Sequence, residues 1–138
     1  MNNALVTSGL FIMITSSLLI TILFFYGKSK LHRIWLLTNV VICSWGLACL
    51  LIGLSHSVAD ASISWKVAIL SGLFIPPCFY HTMYIFAGVK RASSLIIVYA
   101  QALFFALLTI FTEITLANFN IAFEGIYYPT SNLVFFLM

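Results

Sequence analysis

Long runs of apolar residues, separated by short polar segments, dominate the chain. Four of these runs are about 20 residues long, the length that an α-helix needs to cross a hydrocarbon layer roughly 30 Å thick. A fifth run begins near the end of the sequence and is much shorter. The pattern predicts an all-α, polytopic transmembrane helix bundle with four complete spans and the start of a fifth. The predicted spans cover residues 6–26, 34–54, 67–89, 95–112 and, incompletely, 133–138.

The short fifth run bears on how much of a protein these residues represent. Residues 133–138 are apolar and follow a turn-like segment at 129–132, as the first turns of another span would. We therefore expect residues 1–138 to form a single membrane-embedded domain that is truncated at its C-terminal end. Any soluble domain would then lie beyond Met138.

The polar connections differ in charge. The connections at 27–33 and 90–94 hold five of the six Lys and Arg residues, and parity places both on the same side of the membrane. The second and fourth connections hold Lys66, at a helix edge, together with Asp60 and Glu124. The positive-inside rule then predicts that the N-terminus is outside and that the two basic loops are cytoplasmic. Trp and Tyr are enriched at membrane–water interfaces, which places Trp65, Tyr127 and Tyr128 in the outer aromatic belt.

Composition agrees with a membrane protein and narrows the function. The chain is 63% hydrophobic and only 7% charged, whereas soluble domains carry about a quarter charged residues. The net charge of +3 is too small to indicate nucleic-acid binding. The sequence contains no CxxC or Cys/His ligand spacing, no phosphate loop and no carboxylate dyad, so we expect no metal, no cofactor and no enzymatic activity in these residues. Three cysteines inside the apolar runs are interpreted as packing residues: Cys43, Cys49 and Cys78.

Two adjacent prolines lie in the middle of the third span. Neither Pro76 nor Pro77 has an amide N–H, so the carbonyls of Gly72 and Leu73, four residues earlier, lose their helical donors. In lipid those carbonyls must be satisfied by a neighbouring helix, a hydroxyl group or a water molecule. The two prolines are therefore candidates for a hinge or for a ligand site that opens on a cavity. A packed kink is the plainer alternative.

The same span carries an imidazole at depth. Polar side chains inside a membrane tend to face the bundle interior and to mark function, which makes His81 a candidate switch or ligand residue. Tyr84, three residues later in the same apolar run, is a further candidate. A neutral imidazole hydrogen-bonded to a neighbouring helix is the alternative for His81. Spacings of three and four predict one shared helix face for Ser71, Phe74, Cys78, His81 and Ile85.

Two charged residues near the outer ends of the spans form a candidate pair. Lys66 and Glu113 have opposite charge and equal predicted depth, so we hypothesise an ion pair between them. Asp60 is the competing partner of Lys66, and contact with interfacial water is an equally simple alternative. Glu113 closes a stripe of small residues that predicts packing against another helix. That stripe consists of Ala102, Ala106 and Thr109.

A second small-residue face is predicted on the second span, beside Trp45. Gly46, Cys49 and Gly53 recur at spacings that let another helix approach closely, so they predict a packing seam. Trp45 itself lies at mid-depth and is retained as a candidate site residue.

Several short motifs follow one another in a definite order along the chain. They are Trp45-Gly46, Trp65, Gly72, Ile75-Pro76-Pro77-x-Phe79, Phe86-Ala87-Gly88 beside the basic residues, and Glu124-Gly125-Ile126-Tyr127-Tyr128-Pro129. In this order they resemble the N-terminal seven-transmembrane sensor region of bacterial histidine kinases and some diguanylate cyclases. The resemblance covers nearly the whole chain, but only the first four helices and the start of the fifth in that family.

The resemblance implies the sensory or input region of a two-component signal-transduction protein in the bacterial cytoplasmic membrane. The implied partners are the lipid bilayer, a small or hydrophobic ligand, and a second copy that pairs through the missing cytoplasmic part. Kinase or cyclase activity is not carried over, because the phosphoacceptor and ATP-binding modules are absent from these residues. Two other interpretations stay open. The chain could be a fragment of a transporter or permease, since broken helices with polar midplane residues build transport sites, or a small four-helix accessory membrane protein.

Overall fold

The structure is a computed structural model that describes residues 2–89, 93–112, 119–122 and 126–129. Four α-helices and two short strands lie within these residues. They are α1 (Asn3–Tyr26), α2 (Lys30–Leu54), α3 (Val58–Phe86), α4 (Ser93–Phe111), β1 (Phe119–Ala122) and β2 (Ile126–Pro129). Each helix is long and apolar enough to cross a membrane. The prediction of an all-α helix bundle is confirmed, and its composition is that of a multi-pass membrane protein. The predicted fifth span, 133–138, lies outside the described residues.

The helices pack in chain order. Helix α1 packs on α2, α2 on α3, and α3 on α4, whereas α1 and α4 form no extensive contact within the described residues. The helices therefore form a row that does not close into a ring. Large apolar side chains cover the outward surfaces of the row, including Phe11, Phe24, Ile97 and Phe104. Lipid can solvate such surfaces, so their exposure is what a membrane-spanning row of helices requires.

Helices α1 and α2 are in backbone contact along a glycine seam. A Cβ atom added to Gly9 would lie 2.6 Å from the Leu50 amide nitrogen and 2.8 Å from the Gly46 carbonyl oxygen. One added to Gly53 would lie 3.0 Å from the Val6 amide nitrogen. Only glycine, which has a hydrogen atom in place of a side chain, allows this approach. The close approach increases van der Waals contact between the helices. The packing seam predicted at Gly46, Cys49 and Gly53 is confirmed, and α1 is its partner.

Serine caps start two helices earlier than the hydrophobic pattern predicts. The Ser29 hydroxyl accepts a hydrogen bond from the His32 amide at 3.3 Å, and α2 begins at Lys30. The Ser57 hydroxyl accepts one from the Asp60 amide at 3.1 Å, and α3 begins at Val58. Such side chains satisfy amide donors that have no partner inside the first helical turn. Residues 58–64, predicted as part of a polar connection, are therefore helical.

Helix α3 ends three residues before the predicted boundary because of Gly88. This residue has φ +65°, in the left-handed region that glycine adopts without strain. The Gly88 amide donates to the Ile85 carbonyl at 3.1 Å, and the Val89 amide donates to the Tyr84 carbonyl at 3.4 Å. This pair of bonds is a Schellman motif, which satisfies the last carbonyls of a helix and reverses its direction.

Replacing Gly88 with alanine should destabilise the protein by about 1–2 kcal/mol, because an L residue with a Cβ is strained in the left-handed region. The free energy of unfolding in mixed micelles, followed by far-UV circular dichroism, measures this effect. Gly88→Asn is the matched control, since asparagine tolerates this conformation and should lose less. Equal losses for both variants would contradict the assignment of the effect to backbone conformation.

A β-hairpin, which the sequence pattern did not predict, covers one end of the row. β1 and β2 pair antiparallel, with Phe119 opposite Pro129 and Ala122 opposite Ile126. The Trp65 indole N–H donates to the Tyr127 carbonyl at 2.7 Å, and the Tyr127 hydroxyl donates to the His56 carbonyl at 3.3 Å. The hairpin is thus attached to the start of α3 and to the α2–α3 connection. We call this the hairpin end of the row and the opposite end, which carries Lys28, the basic end. The three aromatic residues predicted for one interfacial belt do lie together, with the Trp65 and Tyr128 rings 5.2 Å apart.

Candidate functional site

Helix α4 packs on α3 through small side chains. Ala102 and Ala106 are each 4% exposed, and Thr109 is fully buried. The stripe that the sequence predicts as a packing face on α4 therefore does pack, and its partner is α3. Glu113 lies outside the described residues, so the hypothesis of a Lys66–Glu113 ion pair stays a prediction.

A cavity of about 390 Å³ lies between α3 and α4 beside the two prolines. We call it the Pro-Pro cavity. Its volume falls within the range of roughly 300–1,000 Å³ that small-molecule sites occupy. Both proline candidates line this cavity, so they lie where α3 contacts α4. Its lining consists of Ile69, Gly72, Leu73, Pro76, Pro77, Val98, Gln101, Ala102 and Phe105.

The missing side chain of Gly72 keeps part of this space open. A Cβ atom added there would meet no other atom within 4 Å, in contrast to the tight contacts of the α1–α2 seam. The Gly72 carbonyl is one of the two that have no helical N–H donor because of the prolines. The Leu73 carbonyl is the other, and both residues line the cavity. The break in backbone hydrogen bonding and the open space therefore coincide.

No side chain among the described residues replaces the two missing donors. The Ser71 hydroxyl donates to the Ser44 hydroxyl on α2 at 3.0 Å, and the Thr82 hydroxyl donates to the Cys78 carbonyl at 2.9 Å. The hydroxyl groups of Ser71 and Thr82 are thus engaged elsewhere. In a membrane an unsatisfied carbonyl is costly, and both residues whose carbonyls lose a helical donor line this cavity.

Gln101 is a site residue that the sequence pattern does not single out. It lies near one end of a predicted span, where an isolated glutamine has no specific meaning. The packing of α4 on α3 brings it into the cavity lining, opposite the segment that holds Gly72 and Leu73. Its exposed carboxamide forms no hydrogen bond with any other described residue, and it supplies both donor and acceptor atoms. Only the tertiary contact reveals this juxtaposition.

His81 bonds to the neighbouring helix through a tyrosine. Its Nδ1 atom lies 3.2 Å from the Tyr99 hydroxyl, and the two rings meet edge to face with centroids 5.8 Å apart. The Tyr99 hydroxyl also lies 3.8 Å from the Cys78 sulfur. This cluster is the alternative that the sequence left open for His81, a hydrogen bond across helices. Matched depth could have identified Tyr99, since it lies six residues after the start of α4 and His81 lies five before the end of α3.

The face predicted to hold Ser71 and His81 together is divided between two neighbours. Ser71 bonds to α2, whereas His81 bonds to α4. The two residues are ten positions apart, and at about 100° per residue they differ by roughly 80° around the helix axis. Steps of three or four residues do not return to the same angle around the helix axis. Over several turns the difference adds up, so residues at these spacings come to face different neighbouring helices.

Tyr84 lies one turn beyond His81, toward the basic end. Its hydroxyl is buried and has no hydrogen-bond partner among the described residues. An unsatisfied buried hydroxyl costs free energy, and such a group in a native structure is a candidate for a partner that arrives with another molecule or segment.

The remaining sequence candidates lie away from this site. Trp45 is 37% exposed on α2 and does not line the Pro-Pro cavity. Lys66 is half-buried on α3, ten residues before Pro76, which corresponds to about 15 Å along the helix. Asp60 accepts a hydrogen bond from the Ser57 hydroxyl at 2.7 Å and serves the helix cap. The structure brings Pro76 and Pro77 together with Gln101 at the Pro-Pro cavity, and it separately pairs His81 with Tyr99.

A metal centre is not assembled by the described residues. They contain no group of three or more His, Cys, Asp or Glu side chains close enough to hold an ion. The site supplies hydrogen-bond donors and acceptors in a mainly apolar surrounding.

Comparison of the chain with protein-family models, with curated proteins and with solved structures gives no significant match. The resemblance to seven-transmembrane sensor regions therefore stays a prediction from sequence motifs, and the geometry of the site carries the functional argument.

Replacing Tyr99 with phenylalanine should destabilise the protein by about 0.5–1.5 kcal/mol, since hydrogen bonds between membrane helices contribute about 0.6 and up to roughly 1.7 kcal/mol. A double-mutant cycle with His81→Leu should return a coupling energy of similar size, measured from the free energies of unfolding in mixed micelles. Tyr80→Phe is the matched control, because Tyr80 is 41% exposed and its loss should stay within about 0.5 kcal/mol. A coupling energy near zero would show that the bond does not hold α3 and α4 together.

Proposed function

We propose that these residues form the membrane-embedded sensory region of a bacterial signal-transduction protein of the histidine kinase type. In this proposal a stimulus acts between α3 and α4 and passes to a cytoplasmic output module outside these residues. The observation that carries the proposal is the Pro-Pro cavity, which lies where the backbone hydrogen bonding of α3 is interrupted. The order of motifs along the chain supports the same assignment.

The row of helices contains one tightly packed pair and one more open pair. At Gly9 and Gly46 the helices α1 and α2 approach so closely that an added Cβ atom would collide with the neighbouring helix. The contact between α3 and α4 instead encloses a cavity and is bridged by the His81–Tyr99 hydrogen bond. A movement that transmits a stimulus is therefore easier at α3–α4 than at α1–α2.

The two prolines divide α3 into a hairpin-end segment and a basic-end segment. Two backbone hydrogen bonds that would resist bending are missing at this point, so the segments can change their relative angle at lower cost than in an uninterrupted helix. The hairpin and α2 hold the first segment through Trp65 and Ser71. The second segment carries His81 and leads to the α3–α4 connection. A ligand shifts this equilibrium only if it binds the two packings with different affinity.

The orientation in the proposal follows the distribution of charge. Lys28, Lys30 and Arg33 lie at or beside the α1–α2 connection, at the basic end. With that end in the cytoplasm, the movable segment of α3 points toward the compartment of the output module. The variants Lys28→Cys and His56→Cys test this orientation. The accessibility of each introduced thiol is measured in intact cells with a membrane-impermeant thiol reagent.

The native reading frame provides the first test. We expect the gene to continue beyond Met138 into further spans and a cytoplasmic histidine-phosphotransfer and ATP-binding module. Membranes that contain the full-length protein should then incorporate phosphate from ATP, and Pro76→Ala should change that incorporation several-fold. Phe11→Leu, which alters a lipid-exposed side chain on α1, is the control and should have no effect. A reading frame that stops at Met138, or one that encodes only further spans, would overturn the proposal.

A further inference from the structure

We propose that the Pro-Pro cavity binds a small amphiphile from the bilayer, specifically an alkyl chain that bears a hydroxyl group. The hydroxyl donates to the carbonyls of Gly72 or Leu73, and the chain fills the apolar part of the cavity. This inference rests on the proposed function in that it names the ligand class of the same site.

Hydrogen bonding selects a donor. Pro76 and Pro77 leave two carbonyls without their helical N–H partners, and no described side chain substitutes for them. A ligand with a donor gains these bonds in a surrounding where water competes weakly, whereas an alkane or an ether has no donor for the two carbonyls. The two carbonyls therefore favour ligands that carry a hydrogen-bond donor over ligands that carry none.

Charge selects a neutral group. None of the residues that line the cavity carries an ionisable side chain. Burial of an unpaired charge in such a place is strongly unfavourable, and a carboxylate would in addition face carbonyl oxygens. A hydroxyl group is the simplest neutral donor, and it can also accept a hydrogen bond from the Gln101 carboxamide.

Shape and access select a membrane-soluble molecule. The rest of the lining is apolar, with Ile69, Val98, Ala102 and Phe105 as its main surfaces. Pro76 and Gln101 are both exposed, so one side of the cavity opens on the outward surface of the row of helices. A ligand dissolved in the bilayer reaches this opening without crossing the packed interior.

Photolabelling tests the inference directly. The protein is reconstituted in phosphatidylcholine vesicles and irradiated with a diazirine-bearing octanol or with the corresponding methyl ether. The two probes are compared at equal concentration in the membrane, and labelled residues are identified by mass spectrometry. We expect about fivefold more labelling by the alcohol than by the ether at residues 69–77 and 98–105, the difference that one hydrogen bond provides. Unlabelled octanol should compete, and octane should not.

Two variants and a control locate the site. Gly72→Leu fills open space without a clash at its Cβ, and it should reduce alcohol labelling at least fivefold. Pro76→Ala returns a donor to the Gly72 carbonyl, and it should lower the preference for alcohol over ether while ether labelling is unchanged. Ala100→Leu places a leucine side chain at an exposed position of α4 outside the lining and should have no effect.

The outcomes separate the site from the function. Equal labelling by alcohol and ether, or unchanged labelling of Gly72→Leu, overturns the ligand assignment even if the full-length protein signals in response to something else. Selective labelling that Gly72→Leu abolishes supports the site. If the site is supported but octanol leaves phosphorylation by the full-length protein unchanged, then the ligand site stands and the proposal that the stimulus acts at this cavity fails.

Discussion

Replacing Gly9 with alanine should destabilise the protein by about 3 kcal/mol, at the upper end of the usual cost of overpacking a close contact. The new Cβ would lie 2.6 Å from the Leu50 amide nitrogen and 2.8 Å from the Gly46 carbonyl oxygen. Both neighbours are backbone atoms, so no side-chain rotation relieves the collision and the two helices must separate. The free energy of unfolding in mixed micelles, followed by far-UV circular dichroism during a titration with sodium dodecyl sulfate, measures the loss.

Gly72→Ala is the matched control for this experiment. It makes the same chemical change in the interior of another membrane helix, but its Cβ meets nothing within 4 Å. Because alanine loses less backbone entropy than glycine in a helix, this variant should be more stable than the parent by roughly 0.5–1 kcal/mol. Opposite signs at the two positions are the expected result. Equal effects would show that helix propensity, and not the close approach of α1 and α2, sets the response.

Replacing Pro76 with alanine should stabilise the isolated domain by about 2 kcal/mol. Proline in a helix interior is roughly 3 kcal/mol less favourable than alanine, and packing that has adapted to the proline recovers part of that difference. Pro76 is exposed, so its replacement removes little packing while it returns an N–H donor to the Gly72 carbonyl. The same unfolding titration measures the gain, and the proposed function predicts that the stiffer helix responds less to a stimulus.

Pro77→Ala tests the reasoning behind that expectation. Pro77 also blocks one helical bond, but it is buried, and the truncation removes packed methylene groups worth about 0.8 kcal/mol each. The gain should therefore be clearly smaller than for Pro76→Ala. A larger gain at the buried position, or a loss at the exposed one, would contradict the view that missing backbone donors dominate the energetics of this segment.

The membrane character and the number of described spans follow from the sequence, because the bilayer imposes a length and a polarity on any helix that crosses it. The prolines and His81 were also identifiable, since each breaks a local rule of an apolar helix. Boundaries were less accurate. The hydrophobic pattern placed the start of α3 at residue 67, whereas the Ser57 cap starts it at Val58, and it continued α3 to residue 89, past the Gly88 turn. Local capping chemistry, which periodicity ignores, decides these ends.

Apart from Tyr99, which matched depth could indicate for His81, the partners of the candidate residues could not be predicted from the sequence. Nothing in a linear pattern states that α3 lies beside α4, that Gln101 faces Gly72, or that the fourth connection folds into a hairpin bonded to Trp65. The strands are four residues each, too short for alternation to be distinguished from chance.

The amino-acid sequence thus specifies helices long and apolar enough to cross a membrane, and the point at which the third of them lacks backbone N–H donors. These properties depend on each residue and its neighbours within a turn or two. Only the helix packing shows that Gly72 and Leu73 line a cavity beside Gln101, and that α1 and α2 are in contact through glycine. Contacts between helices depend on rotation about each axis and on depth, and residues far apart in the chain set both together.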